Sequence, residues 1–256
     1  MPTYRQLAQK YNQRLDRLGR LQATLTIVFT WQDERGKHKE QGNGKLAVQW
    51  PDRLRLMVTH IAKRGPIFSA GSNHKQYWLF DFRDQPRLYL GRHDRFDKAH
   101  RDWLDLPGHP RLLPHLLGIV PLPEEPADNP TQVTWSRGCF QVTSVGTSTR
   151  LWVAPDTYLP VRVEVLDEKE QPSTVARLSK PAPVKLVGHP PDGRTKVPTR
   201  IVITRPGSED QLRLTLAPDS LHNEPFKKNW FNLDLLKNKL YKIAPEHTVD
   251  LDKLED

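Results

Sequence analysis

The sequence predicts a mainly β protein of the α+β class, built on one curved, nearly closed antiparallel sheet. Runs in which apolar and polar residues alternate recur about a dozen times along the chain. Short segments rich in Gly, Pro, Asn and Asp separate these runs, and such short connections make consecutive strands antiparallel neighbours. Helical spacing is found near the N-terminus, in one internal segment and over a turn or two near residues 233 to 241.

The first helix is predicted over residues 3 to 20. Its apolar residues recur at helical spacing and form one side of the helix: Leu7, Tyr11, Leu15, Leu18. Thr3 is placed to cap the first turn, and Gly19 is placed to end the helix. The opposite side is polar, so we expect this helix to pack on the sheet through one face.

The clearest strand begins at Ala23, and a β-meander is predicted from Gln41 to Arg92 with Asn43-Gly44 as its first turn. Within the meander, residues 77 to 82 are apolar on both faces. A strand of this kind needs cover on both sides, from a helix, a second sheet or a ligand. Strands resume at Thr131 and continue to Leu216.

The segment between the two groups of strands, residues 93 to 130, shows no alternation. Its middle, Pro110 to Gly118, carries a narrow apolar stripe: Leu112, Leu113, Leu116, Leu117. The stripe predicts a short helix that Pro114 limits or kinks. This helix is either a lid over the sheet or a connecting helix packed permanently on the core, and the sequence leaves both readings open.

Composition narrows the classes of partner. The 256 residues carry 39 basic and 30 acidic side chains, a net charge of +9, which favours anionic partners or a soluble basic surface. A single cysteine, Cys139, excludes an intrachain disulfide and a Cys-rich metal site. No apolar run is long enough to span a membrane, and no signal peptide is expected at Met1-Pro2-Thr3.

No motif nominates a catalytic residue, so we expect no enzyme activity and no cofactor. Histidines and aspartates cluster within residues 93 to 115 without the spacing of a compact metal motif: His93, Asp94, Asp97, His100, His109, His115. Seven tryptophans could stack single-stranded nucleic acid. That function is the weaker alternative, because the basic residues do not cluster on one strand pair.

The order of elements resembles the LolA/LolB-like lipoprotein carriers and their relatives. The motifs that carry the resemblance are YNQRLDRLGRLQATLTIVFTW, GKLAVQWPDRLRL, SNHKQYWLF, HPRLLPHLL and LWVAPDTYLPVRVEV. The resemblance covers roughly residues 4 to 217. It implies a single domain over residues 1 to 256, with residues 218 to 256 as a C-terminal extension.

The resemblance further implies a strongly curved, half-open antiparallel β-barrel with an N-terminal helix and a short internal lid helix. The implied function is non-enzymatic carriage of lipid or lipoprotein acyl chains in an apolar cavity, without a cofactor or metal. The implied location is the periplasm or the outer membrane of a bacterial cell envelope. A monomer is expected, with acyl chains, an anionic membrane surface and envelope proteins as candidate partners and no nucleic acid.

Strand alternation and the resemblance together predict the residues that line the acyl-chain interior: Leu25, Ile27, Phe29, Trp31, Val48, Trp50, Leu54, Leu56, Trp78, Phe80, Leu88, Leu90, Leu112, Leu116, Leu117. The leucine helix is expected at the rim as the gate. On that expectation, Leu116→Asp costs little stability, whereas Trp50→Asp unfolds the protein.

The runner-up function is a structural or protein-binding envelope module whose barrel is filled by its own side chains. An interior without a pocket of acyl-chain size would favour this module. An enzyme on the same fold is a third possibility, and would need carboxylates or histidines that converge inside the cavity.

Overall fold

Fourteen strands form one large, curved antiparallel sheet that does not close into a barrel, as predicted. The computed structural model describes residues 1–34, 36–61, 65–96, 109–124, 131–144, 148–188, 195–227 and 229–253. In chain order, the strands are β1 Arg20–Asp33, β2 Gly36–Gln49, β3 Arg53–His60, β4 Pro66–Ser72, β5 Gln76–Asp81, β6 Arg87–Arg92, β7 Val133–Ser136, β8 Cys139–Ser144, β9 Thr149–Val153, β10 Pro160–Leu166, β11 Pro172–Pro183, β12 Lys196–Thr204, β13 Gln211–Leu216 and β14 Thr248–Asp250.

Strand order places the long β1 at the junction of two halves of the sheet. The order is β14-β6-β5-β4-β3-β2-β1-β13-β12-β11-β10-β9-β8-β7, so β1 pairs with β2 on one side and with β13 on the other. The edge strands are β14, which is parallel to β6, and β7.

The described helices are short apart from the first. They are α1 Tyr4–Asp16, α2 Leu113–Leu116 and α3 Leu233–Leu235, a π-helical turn Leu236–Tyr241, and 3₁₀ turns at His93–Arg95, Pro218–Ser220, Pro245–His247 and Leu251–Lys253. In the described residues, no helix is long and apolar enough to cross a membrane.

Helix α1 confirms the predicted N-terminal helix and its cap, but it ends at Asp16 rather than near residue 20, so Leu18 lies beyond it. The Thr3 hydroxyl accepts a hydrogen bond from the Gln6 backbone N–H, and the Gln6 side chain accepts one from the Thr3 N–H, which forms a capping box. Gly19 lies in the left-handed region at φ +47°, where a residue without Cβ is favoured. The chain then enters β1 directly.

The predicted turn at Asn43-Gly44 is wrong. Both residues lie inside β2, opposite Thr26 and Leu25 of β1. Position 44 instead leaves no room for a side chain, because a Cβ there would come within 2.7 Å of the Met57 carbonyl oxygen and 3.2 Å of the Leu25 side chain. An Asn-Gly pair is a strong hairpin signal in sequence, but here tertiary packing requires the glycine.

Strand β5 is apolar on both faces, as predicted, and each face meets a different set of apolar residues. Leu79 points to the concave face and packs in the main core. The predicted interior position is wrong for four residues, which form a second cluster on the convex face with the C-terminal segment: Trp78, Phe80, Leu88, Leu90. The Trp78 side chain thus points to the convex face, opposite to the face that was predicted for it.

The C-terminal segment supplies the cover for this second cluster. Leu233, Leu236 and Ile243 are buried against it. Tyr241 packs on Phe80 with ring centroids 4.7 Å apart. The Arg55 guanidinium of β3 donates a hydrogen bond to the Trp230 carbonyl oxygen at 3.3 Å and so helps to fix the segment. The extension beyond residue 217 is therefore packed on the sheet and also adds strand β14 to it.

We expect Leu236→Ala to lower the free energy of unfolding by about 2–5 kcal/mol, because Leu236 is 1% exposed in the second cluster. The matched control is Leu240→Ala in the same helical turn, where the side chain is 53% exposed and little packing is lost. Urea unfolding measures both changes. Equal effects of the two variants would contradict the packing of the C-terminal segment described here.

Candidate functional site

The concave face of the sheet is a continuous apolar surface. Strand pairing continues this surface from β1 to β13 through the pairs Leu25 with Leu216, Ile27 with Leu214, and Phe29 with Leu212. All six side chains are at most 5% exposed. The same face continues in both directions, because residues opposite each other in a sheet point to the same side. This surface is the candidate site.

Two chain segments cover the concave face and are joined to each other. We call them the plug unit: helix α1 and residues 109–123. The Tyr4 hydroxyl donates to the Pro123 carbonyl oxygen at 2.9 Å, and the Tyr11 hydroxyl donates to the Gly118 carbonyl oxygen at 3.1 Å. Asn12 both donates to the Leu122 carbonyl oxygen and accepts from its N–H, each at 2.9 Å. The segment after α2 is thereby tied to α1.

The part of the plug unit that faces the sheet is apolar. Leu7, Tyr11 and Leu15 of α1 are buried in the same core cluster as the concave face. Leu116 and Leu117 join that cluster from the second segment. Hydrogen bonds therefore tie the plug unit together, while apolar contact places it on the sheet.

The expected position of Leu116 at the rim is wrong. Its side chain is fully buried at 0% exposure, and Leu113 and Leu117 are also buried. Trp50 is only partly buried. Helix α2 is thus packed on the core, as in the second reading of the leucine stripe. An aspartate at Leu116 should therefore be at least as damaging as one at Trp50.

Gly118 packs closely against the sheet. It has φ +65°, and a Cβ there would come within 2.6 Å of Pro160 in β10 and 3.1 Å of Leu178 in β11. Its carbonyl oxygen accepts from both Tyr11 and Arg14. A glycine is required here for its backbone conformation and for the space.

Arg14 is a basic residue buried inside the plug unit. One guanidinium nitrogen donates to the Gly118 carbonyl oxygen, and the guanidinium stacks 4.4 Å from the centre of the Tyr11 ring. Nε and the other Nη are buried without a hydrogen-bond partner among the described residues. Burial lowers the pKa of Arg14 and raises the pKa of Tyr11, because it disfavours the charged form of each.

One cavity on the concave side is small. It holds about 10 Å³ and lies at one end of the concave face, between Ile27, Phe29, Val58 and Leu79. That volume suits about one water molecule. A site for a ligand of drug or lipid size needs roughly 300–1,000 Å³. Side chains of the sheet therefore leave too little space for an acyl chain at this end of the concave face.

Eleven of the fifteen predicted site residues do pack together in the main cluster. Eight are buried: Leu25, Ile27, Phe29, Val48, Leu54, Leu56, Leu116, Leu117. Trp31, Trp50 and Leu112 are partly buried at its margin. The prediction omitted Leu79, Leu214 and Val163, which share the cluster. The alternation of β13 could have identified Leu214, but its pairing with β1 links residues far apart in sequence.

The histidines and aspartates between residues 93 and 115 were noted in the sequence without a metal motif. Among the described residues, no group of three or more potential metal ligands comes together. His93 and His109 instead pack around Tyr77, with ring centroids 5.8 and 4.5 Å from it. His93 Nε2 lies 2.7 Å from the Asn73 carbonyl oxygen. Asp97 and His100 lie outside the described residues.

Comparison with known proteins identifies the architecture. The sequence matches no protein-family model and no curated protein. The LolA superfamily protein NE2245 from Nitrosomonas europaea is 14% identical; the match covers 92% of this chain and 100% of that chain, with a TM-score of 0.56. The chain has the LolA fold. A DUF1329 family protein from Desulfovibrio piger is 11% identical, over 90% and 96% of the two chains, with a TM-score of 0.58.

A third structure agrees with this assignment. A proposed outer-membrane lipoprotein-sorting domain from Vibrio parahaemolyticus is 13% identical, over 91% of this chain and 97% of that one, with a TM-score of 0.54. At these identities the likeness establishes the fold, and it extends over nearly all of each chain. The LolA fold therefore includes both the sheet and its helical cover.

Gly118→Ala tests the close approach of the plug unit to the sheet. We expect it to destabilise the protein by about 1–3 kcal/mol more than Gly207→Ala, because only the alanine at position 118 would overpack Pro160. Gly207 is the matched control: it also has a positive φ, +79°, but a Cβ there meets nothing within 4 Å. Thermal or urea unfolding gives the difference, and equal losses would refute the close approach.

His115 should make stability depend on pH. Burial, together with the positive charge of Arg111, lowers its pKa from 6.5 to about 4. The folded state then binds fewer protons than the unfolded state as pH falls from 6.5 to 4, so stability is lost over that range. We expect the wild type to lose about 2 kcal/mol more than His115→Gln between pH 7 and 5. Urea unfolding at both pH values measures this difference; parallel losses would contradict it.

Proposed function

We propose that the protein binds acyl chains of lipids or lipoproteins between the concave face and the plug unit, in a bacterial cell envelope, and catalyses no reaction. The observation that carries this proposal is that the plug unit makes one kind of contact within itself and another kind with the sheet. Hydrogen bonds hold its two segments together, whereas the side chains that it buries against the sheet are mostly apolar. Two hydrogen bonds also leave the plug unit, from Lys10 to the Tyr158 hydroxyl and from Arg111 to the His93 carbonyl oxygen. A unit of this kind can leave the sheet without separating its own parts.

An acyl chain can replace the apolar contacts that the plug unit gives up. Burial of a chain contributes about 0.8 kcal/mol per methylene. The cavity between Ile27, Phe29, Val58 and Leu79 holds only about 10 Å³, so we expect a chain to enter this part of the concave side only when the plug unit moves. The ligand then selects the open arrangement to the extent that it binds that arrangement more tightly than the closed one.

The second candidate is a module whose interior stays filled and whose partners are envelope proteins. The small size of the cavity between Ile27, Phe29, Val58 and Leu79 favours it, since about 10 Å³ cannot hold an acyl chain. The two candidates differ in one property that can be measured, which is whether the plug unit must move for the protein to take up a ligand.

A reversible cross-link tests this movement. The Lys10 ammonium of α1 donates to the Tyr158 hydroxyl at 3.3 Å, so these positions face each other across the boundary between plug unit and sheet. In a Cys139→Ser background, Lys10→Cys with Tyr158→Cys would be joined by a short, cleavable bismaleimide. We expect the cross-linked protein to lose uptake of a fluorescent fatty acid at least tenfold, and cleavage of the linker to restore it.

Each single-cysteine variant, treated with the same reagent, is the control for modification alone. Unchanged fatty-acid binding in the cross-linked protein would show that movement of α1 is not needed and would refute the proposed mechanism. Absence of binding in every form, together with absence of lipid in organic extracts by mass spectrometry, would favour the filled module.

A further inference from the structure

The convex side of β9 to β13 concentrates positive charge. Residues that pair across strands share a face, and this side carries one carboxylate, Glu164, and five arginines that we call the arginine face: Arg150, Arg162, Arg177, Arg200, Arg213. It lies opposite the apolar concave side of the same strands. The net charge of +9 is thus unevenly distributed, and much of it lies on this face.

Pairing within the arginine face leaves an excess of positive charge. Arg162 lies directly opposite Arg177, and like charges in that position destabilise a sheet. Glu164 is shared, with oxygens 2.6 Å from Arg162 and 3.3 Å from Arg150. Arg177 and Arg200 form no ion pair with any residue that the structure describes. An anionic partner would relieve this repulsion.

An open groove of about 630 Å³ continues the arginine face on the convex side of β13, β1, β2 and β3. Its lining includes the polar side chains of Thr26, Asn43, Lys45 and Thr215. Arg200 is paired with Thr215, so the groove begins next to the arginine face. Guanidinium, ammonium and hydroxyl groups are the side-chain groups that bind phosphate oxygens.

We propose that the arginine face is a docking surface for the anionic phospholipid headgroups of a bilayer. Five neighbouring strands span roughly 20 Å, so the charges form an array that suits a surface of many phosphates better than one small anion. The described convex side of β9 to β13 offers no open platform for stacked bases, because Trp152, the tryptophan on these strands, is 6% exposed beneath Arg162. The inference is independent of the acyl-chain proposal, which concerns the opposite face.

Vesicle co-sedimentation tests the arginine face. Phosphatidylcholine vesicles with and without phosphatidylglycerol would be compared at low salt for the wild type and for Arg177→Gln with Arg200→Gln. A basic residue near an anionic membrane contributes roughly fivefold to binding, so we expect the double variant to bind the anionic vesicles about thirtyfold more weakly. Wild-type binding should also fall as salt is raised and be weak on phosphatidylcholine alone.

The control removes the same charge elsewhere, with Arg5→Gln on α1 and Lys239→Gln in the C-terminal segment, two exposed positions away from the arginine face and its groove. We expect it to retain most of the binding. An equal loss in the control, or no wild-type binding to anionic vesicles, would overturn the proposal. Tight binding of a single-stranded oligonucleotide without vesicle binding would also overturn it and indicate a nucleic-acid surface.

Two further measurements distinguish this inference from a folding defect and from the acyl-chain proposal. The Arg177→Gln/Arg200→Gln variant should melt at or above the wild-type temperature, since it removes the like-charged pair of Arg162 and Arg177. A lower melting temperature together with weaker binding would mean that the loss of vesicle binding is a folding defect. The proposal would then fail. The protein cross-linked between positions 10 and 158 should still bind anionic vesicles. Loss of vesicle binding on cross-linking would contradict the assignment to the convex side.

Discussion

An unclosed apolar sheet requires a cover, and the rest of the structure depends on that requirement. The sheet ends at β14 and β7, so its strands cannot seal the concave face by pairing with each other. Exposure of a large apolar surface to water is unfavourable, and the plug unit removes this surface from water. The capping box of α1, the positive φ of Gly118 and the hydrogen bonds between the two plug segments all serve this one contact.

The convex face avoids the exposure of a large apolar surface in two different ways. Over β5 and β6 it is apolar, and the C-terminal segment covers it through Leu233, Leu236 and Ile243. Over β9 to β13 it is charged, and the side chains of Arg177 and Arg200 need no protein cover. One sheet thereby presents three surfaces with different chemistry: an apolar interior, an apolar exterior that is already occupied, and a basic exterior open to an anionic partner.

Local signals in the sequence, together with the resemblance to the LolA/LolB-like carriers, predicted the fold, and long-range packing decided the rest. The period of α1 and the alternation of β1 depend on neighbouring residues alone, and both predictions are confirmed. Asn43-Gly44 has the local signature of a turn, but its glycine is needed by Leu25 and Met57 on other strands. Strand β5 is apolar on both faces, so alternation could not show which face meets the core.

The proposed binding of acyl chains sets a cost of opening against a gain of burial. The described residues of the plug unit contribute nine large buried apolar side chains to the main cluster, among them Leu7, Leu15 and Leu116. At about 2 kcal/mol each, their full exposure would cost about 18 kcal/mol. A long acyl chain offers on the order of 12 kcal/mol when it is buried in their place. One such chain therefore offsets only part of the cost of full separation, so the proposed binding requires either a partial movement of the plug unit or more than one acyl chain.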